Sequence, residues 1–289
     1  MRNFSVCLLL LFALPLFSEV YDCFIFFNEL EVLEIRFHEL YDKVDHFVLV
    51  ESAETFRGNP KPYYFLDHKE RFAKFLDKVI HVCVEERLDV SSSWTRETFQ
   101  RDQIMRGLQY CCDTDVILIS DADEIPRPDA ISQCVEILER REVTNVAFDL
   151  DLYYFYLNMR SGGIWLGTTA ALFGELKQYS PDLLRDRARK ENPRTVIAEG
   201  GWHLTYMGGE TRNIAKIESF SHGEFDTPAF KNQMALMDKL CDGCFLVNID
   251  STYPRFVLEN IPLMEKWGFI LPLDEIDLQH FLKEKWVSL

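Results

Sequence analysis

Asp121-Ala122-Asp123-Glu124 sets three carboxylates into four consecutive residues. The run Asp115-Val116-Ile117-Leu118 before it reads as a buried strand, so the acids emerge together at the strand's end. Burying unpaired carboxylates costs far more than a fold tolerates, and something cationic must meet them. The spacing suits a divalent ion bound through oxygen, Mn2+ or Mg2+. Nucleotide ligands bind at the carboxyl edge of an α/β sheet, so the expectation is a metal-held nucleoside diphosphate, and with it a nucleotide-sugar transferase. Asp123 is assigned to the metal and Asp121 to the ribose or a metal-bound water, with Glu124 orienting either neighbour. The competing reading is that these residues only cap a turn before a helix opening at Pro128.

Other segments supply candidates around this centre. Glu51 and Ser52 end an earlier apolar run and are placed to meet the base or ribose; the polar loop from Thr55 to Pro62 follows them. Arg101 lies on a helix read over Trp94–Leu108, where a guanidinium can contact a carboxylate or phosphate; a solvated helix face is the alternative. In Glu199-Gly200-Gly201-Trp202-His203 the glycine pair permits close backbone approach to a ligand. There Trp202 is a platform for a sugar face, His203 a ligand or donor, and Glu199 the general base. His222, in Ser221-His222-Gly223-Glu224, is assigned to the metal or a phosphate, after Lys216 and Glu218. Two other functions use the same residues. A glycoside hydrolase would pair Asp149 with Asp151, or Asp121 with Glu199. A non-catalytic exported glycan-binding protein would hold a metal only structurally. Cys241-Asp242-Gly243-Cys244 lacks the second ligand pair that a zinc site needs and reads as a local disulfide or two thiols.

These residues require a scaffold, and the chain alternates strand and helix patterns that supply one. Cys23–Phe27, Phe47–Val50, Val79–Val84 and Val116–Ser120 read as strands. Between them, Leu30, Leu33, Phe37 and Leu40 recur at helical spacing behind a capping box of Asn28 and Glu31. Asp67–Leu76 and Thr95–Leu108 complete the first half as helices. Beyond Pro128, Val143–Phe148 and Leu152–Leu157 read as strands, Pro181–Glu191, Glu210–Phe220 and Phe230–Leu240 as helices, and Trp202–Tyr206 as extended. Such alternation implies βαβ units and a mostly parallel sheet flanked by helices.

The bulk numbers narrow the class. A hydrophobic content of 47 % with 23 Phe and 11 Tyr supports a large core in a chain of 289 residues. A formal charge of −16 argues against nucleic acid as a partner, since phosphate-binding surfaces need clustered Lys and Arg. Arg2 precedes Phe4–Phe17, uncharged and Leu-rich, which has the pattern of a signal peptide and is short of the roughly 20 residues that span a bilayer. Residues 1–18 are therefore expected to be a signal peptide or short membrane anchor, and residues 19–289 one domain with a C-terminal helical elaboration. The chain is exported or membrane-associated on this reading. Arg2 alone is too little charge to fix whether the domain faces the lumen or periplasm, or the cytosol.

Taken together, these stretches resemble glycosyltransferase family 17. The likeness is carried by Tyr21-Asp22-Cys23-Phe24, Phe27-Asn28-Glu29-Leu30, Leu33-Glu34-Ile35-Arg36 and Val44 through Ser52. It continues in Phe56 through Pro62, Gln100 through Ile104, Ser120 through Pro126, Gly201-Trp202-His203 and Ser221 through Phe225. The resemblance implies a GT-A-like fold, a UDP-sugar donor (UDP-GlcNAc), a glycan acceptor, Mn2+ dependence and inversion at the anomeric carbon, as in the β-1,4-N-acetylglucosaminyltransferases among its animal members. It places the family's metal-binding aspartates on Asp121 and Asp123. Where the family often carries Asp-Ala-Gly-Trp-His, this chain has Glu199-Gly200-Gly201-Trp202-His203, which keeps the acid and lengthens it by one methylene.

Overall fold

The computed structural model describes residues 18–190, 195–227, 230, 231, 237, 240 and 243–272. The expected leader, apart from Ser18, lies outside these residues, as do Cys241 and the segment 273–289. Among the described residues no helix is long and apolar enough to cross a membrane.

The first half builds the parallel part of the sheet. It runs β1 (Val20–Phe26), α1 (Leu30–Leu40), β2 (His46–Ser52), α2 (Tyr64–Asp67), β3 (Val79–Val84), α3 (Ser93–Asp102) and β4 (Val116–Asp121). Strand β1 pairs in parallel with both β2 and β4, and β2 with β3, giving the order β3-β2-β1-β4. Strands in such a sheet are covered on both faces, which is why they are continuous apolar runs rather than alternating ones. On one face Phe37 of α1 packs its ring against Phe47 at 4.7 Å, Phe75 at 5.2 Å and Phe72 at 5.6 Å. On the other, Cys23, Val48, Ile117 and Ile119 meet Ile104, Leu108 and Leu184.

The second half is mixed. It adds β5 (Glu124–Pro126), α4 (Pro128–Glu139), β6 (Val146–Tyr154), β7 (Met159–Ser161), β8 (Trp165–Leu172), α5 (Phe173–Leu176), α6 (Pro181–Lys190), β9 (Val196–Thr205), α7 (Glu210–Ser219) and β10 (Cys244–Leu246). Strand β8 runs antiparallel between β4 and β6, while β6 pairs in parallel with β9. The result is the α/β architecture expected, a sheet flanked by helices, with its parallel order concentrated in the first four strands.

Local expectations fail where packing overrides pattern. The capping box does not form: α1 starts at Leu30 with no side-chain cap, and Glu31 instead meets Arg71 at 3.2 Å and Arg212. The helix expected through Leu108 ends as α-helix at Asp102 and continues as a 3-10 turn, Gln103–Gly107. There Gly107 sits so close to the sheet that a Cβ would fall 2.4 Å from Val48 Cγ1. The two strands expected at Val143–Phe148 and Leu152–Leu157 are one strand, β6, whose register shifts between Ala147 and Asp149 against β8.

Candidate active site

The acidic turn is shaped from beneath by one arginine. Arg36 of α1 is wholly buried; its guanidinium meets Asp22 at 2.7 and 2.5 Å and the Ser120 hydroxyl at 2.6 Å. Its Nη1 also donates to the carbonyls of Asp121 (3.1 Å), Ala122 (3.3 Å) and Glu124 (2.8 Å). Six acceptor atoms from five residues around one guanidinium fix the path of the chain as it leaves β4. The chain then turns back as β5, antiparallel to β9, with Glu124 opposite His203. That pairing carries Asp123 to the histidine.

Each acid is met by a cation, and Asp121 and Glu124 share one. Arg101 of α3 holds Asp121 Oδ1 at 2.9 Å, and Arg185 of α6 holds Oδ2 at 2.9 Å. Arg185 also reaches both oxygens of Glu124, at 2.7 and 2.8 Å, and Glu124 accepts the Asp121 amide (3.0 Å) and the Trp165 indole N–H (2.8 Å). Asp123, its side chain 7 % exposed, meets Lys216 of α7 at 2.7 Å and His203 Nε2 at 3.5 Å. Burial acts to raise both aspartate pKa values, but the cations prevail. Arg185 and Arg101 hold Asp121 well below the usual carboxylate range, and Lys216 and His203 do the same for Asp123. Burial presses Lys216 the other way, yet Asp123 raises it above its ordinary value.

A cavity of about 320 Å³ opens over this turn, at the carboxyl ends of β1 and β4. Asp121, Asp123, His203 and His222 line it, and Arg101 backs it through Asp121. The structure does not bring the remaining sequence candidates there. Glu51 is fully buried below the rim, taken up by the Phe65 amide (3.0 Å) and His81 (3.1 Å), and Ser52 is buried beside it; the cavity is reached by Glu54 and Thr55 instead. Trp202 points to the opposite side of β9 from His203, because side chains alternate along a strand. It is buried under the Arg127 guanidinium (4.4 Å) and donates to the Thr252 carbonyl at 3.0 Å, so it offers no face to a sugar. Glu199 is exposed, with a left-handed φ of 52°, and lies outside the cavity; its carbonyl accepts from Arg127 at 2.9 Å.

The glycine pair has a different purpose from the one expected. A Cβ on Gly201 would fall 2.2 Å from the Ile125 carbonyl oxygen, so this glycine lets β5 and β9 close together rather than admitting a ligand. His222 pairs with Glu224 at 2.7 Å and packs edge-on to Trp94 at 4.7 Å, while the imidazole beside Asp123 is His203. Neither hydrolase pair is assembled in the cavity: Asp151 is held by Arg127 (2.8 Å) and Arg160, and Asp149 and Glu199 do not line it. Sequence reasoning missed Arg36, Arg185, Glu29, Trp94 and Trp165. The density of acids signalled that cations must arrive, but nothing in local spacing signalled from which helices.

The sequence profile of glycosyltransferase family 17 matches residues 12–269. The chain belongs to glycosyltransferase family 17. The family's curated members similar to it include the β-1,4-mannosyl-glycoprotein 4-β-N-acetylglucosaminyltransferases of Homo sapiens and Rattus norvegicus, each 34 % identical over 113 residues. The matched segment is 36 % of this chain and 21 % of each relative, so the chain covers about a fifth of their length. Among solved structures, the mannosyltransferase PcManGT from Pyrobaculum calidifontis in complex with GDP-Man and Mn2+ has a TM-score of 0.45 at 13 % identity, over 79 % of this chain and 72 % of that one. A 4-diphosphocytidyl-2C-methyl-D-erythritol synthase has a TM-score of 0.39 at 15 % identity, over 64 % of this chain and 90 % of that one.

The donor set of this family 17 chain fits a divalent ion held at an open site. Among the described residues no group of three His, Cys, Asp or Glu side chains converges on one cation. Asp123 and His203 do converge, and the buried Nδ1 of His203 has no partner of its own. The carboxylate suits Mn2+ or Mg2+ when phosphate and water complete the shell, and a nitrogen donor beside it favours the transition metal. Asp121, with both oxygens engaged by arginines, is better placed to receive a ribose hydroxyl or a metal-bound water on its remaining lone pairs.

Proposed function

We propose that this protein is an inverting, metal-dependent glycosyltransferase that moves N-acetylglucosamine from UDP-N-acetylglucosamine to a glycan hydroxyl. One observation carries the reading: in a family 17 chain, a buried carboxylate paired with an imidazole faces a cavity at the carboxyl edge of parallel strands. Asp123 and His203 would hold Mn2+ or Mg2+, which when bound neutralises the charge gathering on the departing diphosphate. Asp121, fixed by Arg101 and Arg185, orients the ribose, and Trp165, tilted against His203 at 4.7 Å, walls the site from water. Membrane association or export through residues 1–18, ahead of a single catalytic domain, belongs to the same reading.

Inversion needs one base and no covalent intermediate. Five carboxylates line the cavity: Glu29, Glu54, Glu97, Asp121 and Asp123. Glu54 is held by Arg96 (3.3 Å) and Glu97 by Arg101 (2.8 Å), and both aspartates are paired as described. Glu29 accepts the Asn28 amide at 3.0 Å, and among the described residues no cation lies within ion-pair distance of it. Glu29 therefore takes the hydroxyl proton in this proposal, in place of Glu199. Glu29→Gln is expected to cut turnover at least about a hundredfold, a typical general-base contribution. A variant that keeps wild-type turnover excludes Glu29 as the base.

The donor is tested by incubating the purified protein with a panel of UDP-sugars and Mn2+ and following UDP release. UDP-N-acetylglucosamine should support turnover, and Asp123→Asn should abolish it. Because that substitution also strands Lys216, the comparison is Lys216→Met, which breaks the same ion pair but leaves the carboxylate. Full activity in the Asn variant would remove Asp123 from the chemistry.

A further inference from the structure

Lys216 stands where an incoming cation must go. Its Nζ is 2.7 Å from Asp123 Oδ2 and 3.4 Å from the Thr205 hydroxyl, and it lies over the Tyr206 ring at 5.3 Å. The side chain is 22 % exposed and lines both the main cavity and a smaller cleft beside it, shared with Asn28, Glu29 and Arg212. Its flexible stem is anchored on α7, so the ammonium can leave Asp123 without entering the core. The other acids of the turn are held by planar guanidinium groups deep in the fold, whereas Asp123 alone is held by a lysine at the cavity wall.

We propose that Lys216 is a resident counter-cation. It neutralises Asp123 while the site is empty, yields the carboxylate to the arriving divalent ion, and then turns its charge to the phosphates of the donor. This inference rests on the diphosphate-donor reading and concerns which protein group the metal displaces. Two cations cannot share Oδ2 at close range, because their repulsion is poorly screened at a buried site. Metal binding is therefore weakened by the ammonium it must expel. Diphosphate binding is strengthened by the same ammonium once it is free, since a lysine is an effective point charge for phosphate.

The test measures two affinities on the full chain, without catalysis. Mn2+ binding in the absence of nucleotide is read by electron paramagnetic resonance, and UDP binding at saturating Mn2+ by calorimetry. Lys216→Met should bind Mn2+ at least about tenfold more tightly and UDP at least about tenfold more weakly than the wild type, each a difference of about 1.4 kcal/mol. Lys216→Gln, which keeps a donor for Asp123 without the charge, should move both affinities in the same directions and guards against a folding defect in the first variant. Unchanged or weaker Mn2+ binding in both variants overturns the displacement, and undiminished UDP binding overturns the transfer to phosphate. If the wild type binds neither Mn2+ nor UDP, the donor reading itself falls, which is a distinct result.

Discussion

Arg36 concentrates at one residue the dependence of the site on buried charge. It offers Asp22 two bonds and the acidic turn three, with no exposed surface of its own. Removing one partner of a buried ion pair costs about 3–5 kcal/mol, because the other charge stays buried without compensation. Arg36→Met should therefore lower unfolding free energy by that amount, measured by chemical denaturation. Adding Asp22→Asn should restore part of the stability but none of the lost turnover, since the carbonyls of Asp121, Ala122 and Glu124 still lack their donor. Recovery of turnover in the double variant would mean that Arg36 serves Asp22 alone. At this scale the sequence was legible for the acids and for Arg101, which meets Asp121 as expected, but not for the other arginines. Asp121 and Asp123 face the cavity as their spacing implied, while Arg185 and Lys216 come from helices 64 and 93 residues further along. Trp202 and Glu199 depart from expectation for two local reasons: the register of β9 against β5 puts Trp202 opposite Ile125, and Glu199 sits with a left-handed φ where the register of β9 against β6 shifts.

Elements were legible where they are long and periodic. The four parallel strands and α1, α4, α6 and α7 fall close to where apolar runs and helical spacing put them, because each buries a continuous face that leaves a pattern in the chain. Strands β7, β8 and β10 have no counterpart among the expected elements, and three further features escaped for tertiary reasons. Strand β5 is only Glu124–Pro126, too short for any periodicity, and it exists because β9 offers it a partner. The change to a 3-10 turn after Asp102 follows from the contact of Gly107 with Val48. The join of two expected strands into β6 depends on neighbours on both sides, β8 and β9, that shift register to accommodate it. Of these pieces β6 reaches the cavity through Tyr154; the scaffold was easier to read than the site it carries.

Over the whole molecule, the acidic turn is where separate parts of the fold meet. Arg36, Arg101, Arg185 and Lys216 arrive from α1, α3, α6 and α7, and His203 from β9, so a ligand bound to this turn is bound to most of the structure at once. Occupancy should then stabilise the folded state as a unit. A ligand at about one hundred times its dissociation constant adds about 2.7 kcal/mol, and one kcal/mol moves the melting temperature of a domain this size by about 2–4 °C. UDP with Mn2+ is thus expected to raise the melting temperature by about 5–10 °C. Mn2+ alone should give less, because it must expel Lys216 with no phosphate to receive the ammonium. UDP alone should also give less, because the diphosphate then meets Asp123 without an intervening cation. Differential scanning fluorimetry in the four combinations, with and without each component, reads this directly. Shifts for UDP that are the same with and without Mn2+ would show that the nucleotide binds elsewhere than over Asp123, and Asp123→Asn should abolish only the part of the shift that needs both.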